Sequence, residues 1–504
     1  MLFVLLALVT CILLGLFTLY IVAKIKKDTS KYLTNVPCSE QTFPFGNTLP
    51  FLKGSVVYLD LIMQGVKELG RTSLFHDGPL SWVVITADPE FIELIYSSST
   101  HITKGSQYDY FKRWLGQGLL ISDGDKWRFH RKIITPTFHF SILQQFLTVF
   151  DTVGDNFVRK LQQHVGSTSV EISNLISLCT LDIICETAMG VKMNALDMKD
   201  SENMEYIKGI RIMCKIIVDR MFSFLHPIFY PLTLNYYREK RALKMVNGYV
   251  DNVISQKIQQ RKELNQKEDK SQIDGIRTRL AFLDLLLEAK IDGTPLTKAE
   301  LRDEVNTFMF EGHDTTSSAI TFCLLMLATH PRVQDKVMAE QKEILEGDLK
   351  LAHPTSKELS QMKYLENVIK ETLRLYPSVP LFSRKLGEDV EFKGNLYPKG
   401  ITLVLTPYAT HRDPDIFPEP EKFLPERFEE SEMLKINPFA YTPFSAGSRN
   451  CIGQKFAMME IKSTVSKVVR HFKLEPAHPE HQIQLVSETT LNSKNGVKIS
   501  LQAR

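Results

Sequence analysis

The residues best equipped for chemistry lie in one ten-residue stretch, 444–453, reading Phe-Ser-Ala-Gly-Ser-Arg-Asn-Cys-Ile-Gly. Cys451 is its centre, flanked by Gly447 and Gly453, with Phe444 opening the stretch. Glycine lets a backbone turn tightly and come close to a large flat ligand. Such a turn can aim backbone N–H groups at a sulfur, lowering its pKa and tuning its electron donation. Arg449 adds a fixed cation that suits a carboxylate on that ligand. The following Gln-Lys-Phe-Ala-Met-Met-Glu-Ile reads as a helix, so Cys451 is expected just before a helix N-terminus, where the dipole favours an anion. A structural turn around a buried cysteine would have a similar composition.

A second group is Glu311-Gly-His-Asp-Thr-Thr316. Glu311, Asp314 and Thr315 are spaced three and four apart and are expected to crowd one helical face. Two carboxylates and a hydroxyl inside a buried helix are expensive unless they serve a purpose. Thr315 can also bond back to a carbonyl and locally loosen the helix. Trp127 and Arg131, four apart, can donate together to one carboxylate. Glu371 and Arg374, three apart in Glu-Thr-Leu-Arg, meet on one face, a pattern too common to mean much alone.

The elements that must hold these groups are mostly helical. Thr297-Lys-Ala-Glu300 is a capping box, with Leu296 and Leu301 placed as a hydrophobic staple. The helical pattern then runs about 32 residues, a rod of about 50 Å, to His330-Pro331, where proline stops it. Residues 319–328 are apolar all round and must be buried. Earlier, two short apolar runs within residues 72–86 flank Asp77-Gly78, a hairpin signal, and Asp88-Pro89 looks like an N-cap and N1 pair. Residues 377–384, Pro-Ser-Val-Pro-Leu-Phe-Ser-Arg, are expected to be extended, because proline pushes its predecessor out of helix.

The chain has 504 residues, 43% of them hydrophobic, enough for a large core; length alone allows two to four domains. A net charge of +3 argues against nucleic acid as a main partner. Seven cysteines without a Cys-x-x-Cys pair suit reduced thiols facing the cytosol. Residues 1–23 carry no charged side chain, and Lys24, Lys26 and Lys27 follow. About 20 such residues span a bilayer, and the lysines place the remainder on the cytoplasmic side. A cleaved signal peptide is the alternative, but the basic n-region and cleavage site it needs are absent. Residues 24–50 read as a polar linker containing Pro37, Pro44 and Pro50. Residues 170–220 carry helical spacing. Residues 222–237 are unusually aromatic, with Pro227 and Pro231, and read either as a buried loop or as an apolar surface touching the bilayer. Residues 256–275 read as a solvated helix end and loop.

The pattern Phe-x-x-Gly-x-Arg-x-Cys-x-Gly resembles the haem-binding loop of the cytochrome P450 superfamily, in which the cysteine is the axial thiolate of iron. Residues 304–316, Glu-Val-Asn-Thr-Phe-Met-Phe-Glu-Gly-His-Asp-Thr-Thr, are similar to the signature of family 4, with Asn306 in place of the usual aspartate. Asp182-Ile-Ile-Cys-Glu-Thr-Ala-Met-Gly190 resembles the same family. The resemblance covers essentially the whole chain. It implies a mainly α fold with a smaller β region, the cytochrome P450 fold, behind one N-terminal transmembrane helix, with residues 51–504 as the catalytic domain. It implies haem held by Cys451, with Trp127, Arg131, Arg384 and Arg449 on its propionates. Asp314 and Thr315 would relay protons in oxygen activation, and Glu311 would form an ester with a haem methyl. Glu371, Arg374 and Arg427 would make a buried structural network. Leu119, Val379, Leu381, Phe382 and Leu491 would face substrate.

The activity so implied is NADPH- and dioxygen-dependent hydroxylation of a fatty acid or similar chain at or near its end, in the endoplasmic reticulum membrane. Xenobiotics or hormone-like terpenoids are the alternative substrates. A haem-thiolate isomerase and a non-catalytic haem or lipid binder are the rivals from other classes. No Gly-x-Gly-x-x-Gly occurs, so electrons are expected from NADPH–cytochrome P450 reductase, with cytochrome b5 as a further partner. Lys126, Arg128 and Lys455 could meet an acidic reductase or be ordinary solvated charges.

Overall fold

The structure is a computed structural model that describes residues 6, 9–21, 24, 33, 35–42, 45–77, 81–197, 201–221, 223, 227–268, 282–291 and 293–504. Its axis is the long helix anticipated above. Thr297 caps it: the Thr297 hydroxyl accepts from the Glu300 N–H at 3.2 Å, and Glu300 Oε2 accepts from the Thr297 N–H at 3.0 Å. Leu296 and Leu301 are both buried beside that cap.

In chain order, the elements that bear on the site begin with α1 (Tyr58–Leu69), β1 (Thr72–Asp77), β2 (Ser81–Thr86), α2 (Pro89–Ser97) and α3 (Gly124–Ile134). There follow α4 (Ser173–Ile184), α5 (Ser201–Met221), α6 (Leu234–Glu268), α7 (Lys298–Thr329) and α8 (Lys363–Leu375). The last are β3 (Phe382–Lys385), β4 (Thr402–Leu405), α9 (Gln454–His471), β5 (Leu485–Ser487) and β6 (Leu491–Ser493). Helix α7 runs through the middle of the largest apolar cluster and packs against α4, α8 and α9. That burial is why its second half could be apolar on every side.

The smaller β region is a four-stranded sheet in the order β1-β2-β4-β3. Strands β1 and β2 are antiparallel with Asp77 opposite Ser81, while the turn at Gly78 lies outside the described residues. Strand β2 runs parallel to β4, and β3 antiparallel to β4. Asp88 caps α2, accepting from the Glu90 N–H at 3.1 Å, with Pro89 at the first position. A second, apolar cluster joins this sheet to α2 through Val84, Phe91, Leu403 and Leu405.

Residues 9–21 are helical, with Leu13, Leu14, Phe17 and Leu19 exposed. Apart from Leu6, the rest of the expected 1–23 anchor lies outside the described residues, and among the described residues no helix is long and apolar enough to cross a membrane. Part of the expected linker is docked on the sheet: the Leu74 N–H donates to Pro37 O at 2.8 Å, and Asn47 exchanges bonds with the His76 backbone at 2.9 Å. Within the aromatic stretch, Pro227–Leu232 forms a 3-10 turn. Tyr230 is buried there, while Phe229, Leu232, Leu234 and Tyr237 are exposed; residues 222 and 224–226 are outside the description. Helix α6 ends at Glu268, and residues 269–281 also lie outside it.

Candidate active site

The turn before α9 is built around one backbone position. Gly447 has φ +70°, and a Cβ there would meet Tyr96 O at 1.9 Å, so only glycine fits. The Cys451 N–H donates to Phe444 O at 2.9 Å and closes the loop. Gly453 is different: its φ is −89°, and a Cβ would lie 3.8 Å from the Phe138 ring and 3.9 Å from Cys451 Sγ, in ordinary contact. Its smallness keeps the space beside the thiol open instead. Helix α9 begins three residues after Cys451, as expected from sequence.

The expected lowering of the Cys451 pKa is not seen in the polypeptide alone. Burial, then the Glu311 charge, push the thiol up to about 11, outweighing the Gly453 N–H and Arg131. A soft cation that binds thiolate would have to displace that proton.

Cys451 opens onto a cavity of about 540 Å³, inside the range of about 300–1,000 Å³ usual for small-molecule sites. Phe444 and Cys451 line it from one side, Glu311 and Thr315 from α7, and Trp127 and Arg131 from α3. Cations gather at the thiol end. Arg131 donates to Asn450 O at 2.8 Å and to Asn450 Oδ1 at 2.7 Å. Arg449 lies over the Trp127 ring at 4.7 Å and donates to Ser122 O and Leu120 O at 2.8 and 3.1 Å. Arg384 is buried and donates to Ser383 O and Ser445 Oγ. Lys104, paired across the backbone with Arg384, lines the cavity as well.

Among the described residues none of Lys104, Arg131 and Arg384 has a carboxylate within 4.0 Å, and Arg449 reaches only Asp123, at 4.0 Å. Burial and the neighbouring arginines hold Lys104 well below its ordinary pKa and lower Arg449 to about 10. Four crowded cations short of counter-charge, beside an open thiol in an aromatic-walled space, fit a flat dianion carrying a thiolate-seeking metal. The residues present therefore fit haem: Cys451 for the iron, and Trp127, Arg131, Arg384 and Arg449 for the propionates, with Lys104 as a cation that sequence reasoning missed. His-Ile-Thr-Lys-Gly offered no pattern to find it by.

On α7, the Thr315 hydroxyl donates back to Glu311 O at 2.5 Å, and Thr315 O accepts from Ser378 Oγ at 2.8 Å. Burial pushes the Glu311 carboxyl up to about 7, against the pull of Lys104. The expectation that Asp314 shares this face needs correction. Residues three and four apart diverge by some tens of degrees around a helix, and here that is enough. Asp314 turns from the cavity and accepts from Thr490 Oγ1 at 2.5 Å.

Leu119, Val379, Leu381 and Phe382 line the cavity as expected. Leu491 does not: it is fully buried in the main core, its N–H donating to Ser378 O at 2.9 Å. The neighbouring turn faces the cavity in its place, through Ser487, Glu488, Thr489 and Thr490. Strand alternation places one residue inward and the next outward, which sequence cannot phase in so short a hairpin.

Two buried networks hold these parts. Glu371 receives Arg374 at 2.7 and 2.9 Å and the Leu424 N–H at 2.9 Å, with Arg427 at 3.4 Å. Arg374 also donates to His411 O and Pro420 O, at 2.8 and 2.7 Å. The second network was not foreseen. Buried Glu304 on α7 contacts His130 Nδ1 of α3 at 2.6 Å and accepts from the Leu119 N–H at 3.1 Å. It ties the helix bearing Trp127 and Arg131 to the helix bearing Glu311. Lys126 and Arg128, considered for a partner, lie near Glu300 (3.6 Å) and Asp125 (3.0 Å), while Lys455 is exposed.

A sequence model of the cytochrome P450 family matches residues 39–500. Among curated proteins, cytochrome P450 4d2 of Drosophila melanogaster is 41% identical, over 92% of this chain and 94% of its own length. Cytochrome P450 4c21 of Blattella germanica is 38% identical, over 95% of both chains. Cytochrome P450 4V2 of Pongo abelii is 42% identical, over 93% of this chain and 90% of its own. With the open thiol, its cation cluster and the long helix above them, these likenesses establish that the chain belongs to the cytochrome P450 family, beside family 4 relatives, and is a haem-thiolate monooxygenase.

Proposed function

We propose that the chain hydroxylates long apolar chains, fatty acids at or near the terminal carbon foremost, using electrons from NADPH through NADPH–cytochrome P450 reductase with cytochrome b5 as a second donor. The observation that carries the reading is the cavity wall. Phe51, Ile62, Phe75, Phe111, Leu119 and Leu381 make a predominantly apolar lining, which suits a hydrocarbon chain. Glu311, enclosed among them near the thiol, supports attachment of haem through an ester to this side chain, which would stiffen the pocket floor and favour reaction at a chain end.

Haem, when bound, supplies the activation of dioxygen, with Cys451 as its thiolate donor. The chain's own part is to hold and move protons. Asp314, raised by burial, takes up and hands on a proton, and Thr315 Oγ1 accepts a hydrogen bond on the cavity side. Because the Thr315 hydrogen is engaged by Glu311 O at 2.5 Å, its oxygen lone pairs are the ones free to accept. Arg131, Arg384, Arg449 and Trp127 orient the cofactor.

Residues 1–23 are assigned as a single-pass endoplasmic-reticulum anchor and 24–50 as the segment joining it to a cytoplasmic catalytic domain, 51–504. The absence of any charged side chain before Lys24 supports this. The test is product profiling of purified protein with reductase and NADPH against fatty acids of graded length, terpenoids and xenobiotics. Terminal hydroxylation of fatty acids is expected. Turnover confined to terpenoids or xenobiotics would replace the substrate assignment, and product without reductase would replace the electron route.

A further inference from the structure

We propose that Thr490 and Glu488, in the turn between β5 and β6, form the proton-supply route to Asp314, with Glu488 as the donor on the cavity side and Thr490 as the relay and positioning group. The inference rests on the reading of Asp314 as the acid that works with Thr315.

Asp314 Oδ2 accepts from Thr490 Oγ1 at 2.5 Å, and Thr490 Oγ1 in turn accepts from Asn492 Nδ2 at 2.9 Å. An amide NH2 can only donate, so the Thr490 hydrogen points at Asp314. The turn is fastened to α7 at the reactive stretch itself. Ser318 Oγ donates to Leu491 O at 2.6 Å, the Leu491 N–H to Ser378 O at 2.9 Å, and Ser378 Oγ to Thr315 O at 2.8 Å. These bonds lock Asp314, Thr315 and Thr490 into one frame. Glu488 lines the cavity two residues before Thr490, and its N–H donates to Thr490 O at 3.2 Å, which folds the tip.

The charges around the frame favour this route. Burial and the Asp314 charge push Glu488 up to about 7, against Lys215 and Arg211, with Asp219 adding to the rise. A carboxyl of that pKa can give and regain a proton near neutral pH. Cys214 and Tyr206 of α5 also face Asp314, but burial raises both well above their ordinary values, so they keep their protons. Burial raises Asp314, against the Thr490 hydrogen bond and then the charge of Arg211, whose guanidinium donates to Asn174 Oδ1 at 2.8 Å. The balanced step moves one proton from the Glu488 carboxyl, through water in the cavity that both residues line, to Thr490 Oγ1, as the Thr490 hydrogen passes to Asp314 Oδ2. Solvent reprotonates Glu488, and no electron moves.

The test uses full-length holoenzyme with reductase and the variants Thr490→Val, Thr490→Ser, Glu488→Gln and Asp314→Asn. Product per NADPH is expected to fall by about tenfold in Thr490→Val, less than the ~100-fold that loss of a direct proton-transfer group can cost, and Thr490→Ser should restore it. Infrared difference spectra of the resting protein give a readout independent of turnover. The Asp314 stretch, assigned with Asp314→Asn, should shift in Thr490→Val, and a carboxyl band lost as pH rises through about 7 should be missing from Glu488→Gln. Wild-type coupling in both Thr490→Val and Glu488→Gln, with an unmoved Asp314 band, overturns the proposal. If Asp314→Asn itself stays coupled, the reading of Asp314 falls first. If Asp314→Asn uncouples and the other two do not, only the supply route falls. Should Thr490→Val lack the ferrous–carbonyl absorption of folded enzyme, Glu488→Gln decides: coupling at the wild-type level overturns the route, and uncoupling supports it.

Discussion

At the scale of single residues, Cys451 carries the largest consequence. Its thiol lies inside the fold with its surface open to the cavity, and it is protonated in the bare polypeptide. Cys451→Ala is therefore expected to abolish the red-shifted ferrous–carbonyl absorption that thiolate ligation produces; a normal spectrum from that variant would exclude Cys451 as the ligand. Glu311 is the second such residue. Burial pushes its carboxyl up to about 7 and so disfavours its charged form, and an ester would remove that charge permanently. After turnover, acid denaturation and chromatography should leave haem on part of the wild-type polypeptide and free it completely from Glu311→Ala. Complete release from turned-over wild type would exclude the link. Thr315→Ala should still take up haem and substrate but release peroxide at the expense of product, since only a hydroxyl is lost. Fully coupled turnover there would take Thr315 out of the reaction.

At the scale of elements, the site depends on what fastens α3, α7 and α8 together. The Glu304–His130 contact sets α3 against α7 without any exposed charge, both side chains being buried. On α8, Glu371 and Arg374 are fully buried and paired with each other; Glu371 also accepts from the Leu424 N–H and lies beside Arg427, while Arg374 donates to backbone carbonyls. Arg374→Met removes the nearer of two counter-charges from a buried carboxylate, leaving only Arg427 at 3.4 Å, so the folded enzyme should lose about 3–5 kcal/mol. Urea titration followed by the ferrous–carbonyl absorption measures this, and a loss below ~1 kcal/mol would mean that the network is better hydrated than its burial indicates.

At the scale of the molecule, the sheet region and the helical core meet at the cavity, and the end of α5 reaches it. Met221 and Val218 line the cavity while Phe229, Leu232 and Tyr237 face outward. An exposed apolar cluster of this kind, on a chain that begins with an apolar run, suits contact with a bilayer. Removing residues 1–23 should weaken membrane association and leave activity intact, because every site residue lies downstream. Binding that remains should vanish when Phe229, Leu232 and Leu234 are made polar. A truncated protein already fully free of membranes would rule out the second contact.

The sequence alone determined the parts whose signals are local. The Cys451 turn, the Thr297 cap, the length of α7 and the Asp88 cap of α2 all follow from neighbours within about four residues, where backbone geometry leaves few choices. Tertiary structure decided what depends on distant chain. It alone turns Asp314 toward Thr490, 176 positions away, sends Leu491 into the core in exchange for the turn before it, brings Lys104 to the arginine cluster, and pairs His130 with Glu304. Helical spacing states which residues share a side of a helix, but the neighbour that packs there decides which of them faces the cavity. Likewise, the Cys451 pKa is set less by its own turn than by burial and by Glu311 on another helix, since desolvation is a property of the assembled fold.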